Sequence, residues 1–166
     1  YNIAMDSGVE KIKLEAGLQH GGYFWPRLGF DLASKVAVDE FARDAITSLY
    51  DLYGHIKDST YSEIKQLLLA ARASGDVTAA AQLAQRNDPL PALPADNEWL
   101  QIQTRALRGR PTVSKFIMCT AGAGKYELPR SKFHVLRQFV RTTKAYDKTV
   151  DDQPRAINER RIDIGG

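Results

Sequence analysis

The chain carries a single cysteine, Cys119, so no disulfide can close within it and no zinc site can be built from several thiolates. Histidine is nearly as scarce. His20, His55 and His134 stand far apart, with no His-x-x-x-His or Cys-x-x-Cys spacing, so no local metal site is expected. No apolar run approaches the roughly 18 residues that cross a bilayer as a helix, and no membrane span is expected. Internal repeats are missing too. What remains is 166 residues, 43% apolar and 26% charged, which is one ordinary domain or two very small ones. Such a chain can bury about 70% of its unfolded surface and needs no covalent staples. The ends, Tyr1-Asn2-Ile3 and Arg161-Ile162-Asp163-Ile164-Gly165-Gly166, read as interior segments, so a piece of a longer protein is expected. A lone cysteine fits a reducing cytoplasm and fits a disulfide-free exported particle equally well.

Net charge is only +3, but it is segregated. Residues 1–99 hold 9 Lys/Arg against 14 Asp/Glu, a net of −5. Residues 100–148 hold 11 Lys/Arg against Glu127 and Asp147, a net of +9. Residues 149–166 return to −1. Such asymmetry points to a polyanionic partner for the basic part, or to acidic and basic parts facing each other inside one fold.

Periodicity orders the rest. Val9, Lys11, Lys13 and Glu15 alternate with Glu10, Ile12, Leu14 and Ala16, the period of a half-buried strand. Tyr1–Ser7 reads as the end of a helix stopped at Gly8, and residues 17–22 as a glycine loop. From Ser34 the spacing turns helical through Val38, Phe41, Ala45, Ile46, Leu49 and Tyr53, with Gly54 just past the end. Thr60 and Glu63 form a capping-box signature for a second helix, broken at Gly75. Asp76 is the expected N-cap of an alanine-rich helix through Arg86. The prolines of residues 88–94 require an extended connector. Asp96 is the expected cap of a helix through Trp99, Gln103 and Leu107, closed by Gly109. Pro111–Thr120 reads as a second strand, 120–124 as a flexible loop, and residues from about Pro129 to Tyr146 as a final helix. The fold class expected is α+β, predominantly helical.

Four segments carry candidate chemistry. Thr120-Ala121-Gly122-Ala123-Gly124-Lys125 looks like a phosphate-binding loop, but Cys119 and Tyr126 stand where that motif needs Gly and Ser/Thr, so a plain strand-to-helix connection accounts for it better. Cys119 lies in an apolar stretch and reads as a structural thiol. Arg130, His134, Arg137, Arg141, Lys144 and Lys148 are spaced by four, three, four, three and four residues, one stripe of a helix. Phe133, Leu136, Phe139, Val140 and Thr143 share another face. That stripe suits a nucleic acid, an acidic protein surface or anionic lipid, and it equally suits a solvated outer face. The fourth segment, Gly21-Gly22-Tyr23-Phe24-Trp25-Pro26-Arg27-Leu28-Gly29-Phe30-Asp31, puts four aromatics in eight residues, as a stacking wall or as core filling.

Residues 1–31, with the strand Ile12-Lys13-Leu14-Glu15-Ala16 and the ending Leu28-Gly29-Phe30, resemble the C-terminal segment of a GNAT-type N-acetyltransferase domain. The form Gly-Tyr-Phe-Trp-Pro-Arg-Leu-Gly-Phe-Asp also resembles acetyltransferase-like modules in large phage and mobile-element proteins. The resemblance implies the edge of an acetyltransferase-like mixed sheet at residues 1–33, with an aromatic-rich turn; the helical region at residues 34–166, with its basic C-terminal helix, is what the periodicity adds. It places the acetyl-CoA pyrophosphate on a Gly-rich turn upstream of Tyr1. Where the family often carries a tyrosine acid, four residues before Gly29, stands Trp25, whose indole N–H is no proton donor near neutral pH. Tyr23 is the nearby phenol. The function expected is a non-catalytic structural or interaction module of a larger, phage-derived protein, in the cytoplasm or a phage particle. Its partners would be the parent protein, neighbouring subunits, and DNA or RNA; it would hold no metal and no cofactor. The alternative is an acyltransferase fragment that uses acetyl-CoA once completed at its N-terminus, with Tyr23 as acid and Arg27 as an anion contact.

Overall fold

A computed structural model describes residues 8–17, 21–121, 124–137 and 163–165, the last three for their backbone. The alternating stretch forms strand β1 (Lys11–Ala16), with Ile12, Leu14 and Ala16 buried and the charged residues between them turned away. Strand β2 (Asp31–Leu32) and strand β3 (Gly124–Pro129) lie to one side of β1, and β4 (Asp163–Gly165) to the other, in the order β2-β3-β1-β4. The β1–β3 register runs from Lys11 opposite Pro129 to Ala16 opposite Gly124. All described pairs are antiparallel, whereas the resemblance implied a mixed sheet. The helical block between β1 and β3 returns the chain in the opposite direction, which is the geometry an antiparallel pair needs.

The block is α+β and predominantly helical, as expected: α1 (Gly21–Leu28), α2 (Lys35–Tyr50), α3 (Asp58–Ser74), α4 (Ala79–Ala84), α5 (Glu98–Arg105) and α6 (Val113–Ala121). Ser34 caps α2, its hydroxyl accepting from the Ala37 amide at 3.1 Å. Gly75 ends α3 in the left-handed conformation at φ 71°. Among the described residues no helix is long and apolar enough to cross a membrane.

Several expectations shift. The Thr60 and Glu63 box does not cap α3, because that helix already begins at Asp58 and Thr60 is buried inside it. Asp76 organises the start of α4 from outside: its carboxylate accepts from the Thr78 amide and hydroxyl at 2.9 and 2.7 Å. The helix stops at Ala84 rather than Arg86, whose guanidinium turns to Asp88 and Glu63. Asn97, not Asp96, caps α5, since a turn closed by the Asn97 amide on the Pro94 carbonyl makes Asn97 the first residue free to accept from Leu100.

The largest correction is at 111–120, read as a strand but folded as α6. Val113, Phe116 and Ile117 follow helical spacing, but Met118 and Cys119 are buried as well, and that continuous run hides the period. A helix packed on several sides loses its polar face, and α6 sits among α1, α2, α4 and α5. Thr112 begins it, its hydroxyl accepting from the Lys115 amide at 3.1 Å. Of the expected helix over 129–146, Pro129 ends β3, Arg130–Lys132 form a 3-10 turn, helical backbone follows at 135–137, and the remainder lies outside the described residues. The helix end expected at 1–7 lies outside them too. Ile12, Leu14, Trp25 and Phe30 share one core with Phe116 and Tyr126.

Candidate aromatic and cationic cleft

The aromatic segment forms α1 rather than the turn implied by the family resemblance. Pro26 lies inside this helix, and lacking an N–H it cannot bond the Gly22 carbonyl four residues back. The Tyr126 hydroxyl approaches that carbonyl instead, at 3.4 Å. Helical geometry then divides the aromatics. Trp25 and Phe30 are buried, their rings edge-on at 5.3 Å, and fill the core. Tyr23 is half-buried and Phe24 stays 43% exposed, edge-on to Trp25 at 5.0 Å. Core filling and wall building are thus both served, by different residues.

Tyr23, Phe24 and Trp25 form one wall of a cleft of about 340 Å³. Leu107 and Arg108, in the segment after α5, face them, and Lys115 and Cys119 of α6 close it. The Lys115 ammonium donates to the carbonyls of Arg110 at 2.8 Å and Arg108 at 3.1 Å, and sits 5.7 Å from the centre of the Tyr23 ring. The Arg27 guanidinium lies 5.7 Å from the same ring and donates to the Ala84 carbonyl at 2.7 Å. Tyr23 is therefore flanked by two positive charges. Burial lifts its phenol above the ordinary value of 10.0, and Arg27 pulls it partly back, so at neutral pH it is a protonated hydroxyl. Burial also pushes the Cys119 thiol up to about 11, against the pull of Lys115, so near pH 7 it is not a thiolate nucleophile.

The other sequence candidates distribute as follows. The 120–125 segment joins a helix to a strand, since α6 runs to Ala121 and β3 begins at Gly124. A phosphate-binding loop runs from strand to helix, so the order is reversed and the lookalike fails. Of the basic stripe, Arg130, His134 and Arg137 are exposed and Phe133 and Leu136 buried, but Arg130 lies in the 3-10 turn and His134 in the turn after it, so these residues do not share one continuous helix. Arg130 donates to the Val9 carbonyl at 2.8 Å. Arg141, Lys144 and Lys148 lie outside the described residues.

Two ion pairs join the first part to the described basic part. Lys132 pairs with Asp31 at 2.9 Å and Lys11 with Glu127 at 3.7 Å, both across the sheet. Arg105, Arg108, Arg110 and Lys125 are exposed and form no ion pair among the described residues. Three of these four belong to Arg105-Ala106-Leu107-Arg108-Gly109-Arg110, a cluster that periodicity passed over because it lies where a helix ends. Its signal was compositional: three arginines in six residues beside Gly109. No protein-family profile, no curated protein and no solved structure matches the chain.

Proposed function

We propose that this chain is a non-catalytic interaction module that grips a polyanion, nucleic acid foremost, with cations of residues 100–148. One contrast supports the reading. Of the first part's four arginines, Arg72 is neutralised by Asp39 at 2.8 Å and Arg86 by Glu63 at 2.6 Å and Asp88 at 2.7 Å, while Arg27 and Arg43, sixteen positions apart, form no ion pair among the described residues. Arg105, Arg108 and Arg110 stand exposed without such partners among the described residues. An exposed, unpaired guanidinium releases a condensed counterion when it meets a phosphate backbone, and needs no break of an internal pair to do so.

The test is binding of a duplex DNA fragment across a salt series. Affinity should fall log-linearly with salt, with a slope of about −0.9 for each phosphate neutralised. The variant Arg105→Glu/Arg110→Glu/Arg137→Glu should flatten that slope by about two to three. Binding that ignores salt, or that survives the triple variant unchanged, overturns the proposal.

A further inference from the structure

The cleft between α1 and α6 has a composition that the surface cations do not explain. Its one wall is aromatic, Tyr23 and Trp25 with the half-exposed Phe24 at its rim. Arg108 and the Lys115 ammonium, the latter 5.7 Å from the centre of the Tyr23 ring, line it too, and none of the described residues lining it carries a carboxylate. Lysine has three N–H donors. Two of those of Lys115 are spent on the Arg108 and Arg110 carbonyls, which fixes the ammonium in place and leaves the third for a ligand. A side chain as long as lysine ordinarily loses freedom on binding; here that loss has already been met in folding.

We propose that this cleft is a binding site for a nucleotide unit, its flat base against the exposed Phe24 at the rim and its phosphate on Arg108 and Lys115. Aromatic rings favour a flat π-system over an alkyl chain, because offset and edge-on contacts add to apolar burial. Two cations with no carboxylate among their described neighbours favour a ligand carrying about two negative charges. The volume of about 340 Å³ lies at the small end of ligand sites, enough for one nucleotide unit and not for a dinucleotide. The protonated Tyr23 hydroxyl adds a group that can donate to a phosphate or accept from a base edge. The unit has two sources, a free mononucleotide or one unstacked residue of a single strand. The site shares Arg108 with the proposed polyanion surface, but the triple variant at 105, 110 and 137 leaves Arg108 in place and Phe24→Ala leaves the surface arginines in place, so either proposal can fail while the other holds.

Adenosine 5′-monophosphate, adenosine, inorganic phosphate and a short oligothymidine strand are titrated against the full chain carrying Trp99→Phe, which leaves Trp25 as the fluorescent reporter inside the site. The monophosphate should give a saturable change in Trp25 emission, with adenosine and phosphate each weaker by about tenfold or more, since each supplies half of the contacts. Arg108→Ala should remove the advantage of the monophosphate over adenosine. Phe24→Ala should weaken the monophosphate by about tenfold while leaving phosphate alone unchanged. A free nucleotide is the source if the monophosphate saturates and the strand does not compete with it. A strand is the source if the oligothymidine saturates with the same dependence on Arg108 and Phe24. Circular dichroism of each variant establishes that it is folded. No saturable binding of either ligand to the folded protein, or binding indifferent to both substitutions, overturns the site.

Discussion

Gly124 opens β3 directly beneath the Tyr126 ring, and a Cβ built there would meet the phenol at 2.8–3.0 Å. Replacing glycine by alanine inside a strand ordinarily stabilises by about 0.5–1 kcal/mol. Here the sign should reverse. Tyr126 is 1% exposed with its hydroxyl toward the Gly22 carbonyl, so the ring has nowhere to swing. Overpacking of this kind costs about 1–3 kcal/mol, and Gly124→Ala should lower the urea midpoint accordingly. An unchanged or raised midpoint would show that the ring can give way. Cys119 invites a second check at this scale. With its thiol pushed up to about 11 and the side chain buried, labelling by a thiol reagent near pH 7.5 should be slow in the native protein. In denaturant it should be complete at once; rapid native labelling would mean that α6 opens readily.

Among the elements, the helices legible in the sequence were those with one wet face. In α2, Val38, Ala42, Ala45 and Leu49 are buried at the spacing the sequence displays, and Ser34 announces the start. The same logic failed for α6, whose burial on several sides erased the period that identifies a helix. It failed in a different way for α1, where Gly21 and Gly22 read as the end of a glycine loop and Pro26 disfavours a helix interior. The helix forms because tertiary packing of Trp25 outweighs poor propensity, and because Tyr126, distant in sequence, reaches the carbonyl that Pro26 leaves open. No local pattern could show that partner. The cleft was half visible for the same reason. Tyr23 and its aromatic neighbours stood out, but Lys115 and Cys119 join them only through packing of α6 on α1, and Arg108 through the segment between α5 and α6.

Asp76 shows how an element's start responds to pH. Hydrogen bonds from the Thr78 hydroxyl and amide hold its carboxyl below the ordinary 3.8. A carboxyl depressed in the folded state binds its proton more weakly there than in the unfolded chain. Its stabilisation is thus fully present above the unfolded value, and is lost as pH falls through the folded one. Asp76→Asn keeps an acceptor and removes the charge. The variant should be less stable than the parent at pH 7, and the gap should begin to narrow near pH 4 and go on narrowing as pH falls. Urea midpoints measured from pH 7 to about pH 3 decide it, and a gap of the same size at both ends would assign the effect to shape rather than charge.

Over the whole molecule, the two charge blocks were plain in the sequence, but whether they face each other is a three-dimensional fact. Attraction within the fold is local to the sheet, through Lys132 with Asp31 and Lys11 with Glu127. The arginines at 105, 108 and 110 fall within six residues of sequence, exposed and with no carboxylate partner among the described residues. Salt acts differently on the two arrangements. It weakens attraction between exposed opposite charges, and it relieves repulsion between like ones, over a screening length that shrinks from about 14 Å at 0.05 M to about 4 Å at 0.5 M. A fold held by its charge blocks should lose stability across that range. A fold held by the shared apolar core, with its arginine cluster mutually repelling, should keep its melting temperature or gain slightly. Nucleic-acid affinity should meanwhile fall by orders of magnitude over the same range. Melting curves and binding isotherms taken in parallel buffers therefore separate the two outcomes. A melting temperature that drops in step with affinity would mean that the cations are committed within the fold, and their role toward an external polyanion would have to be given up.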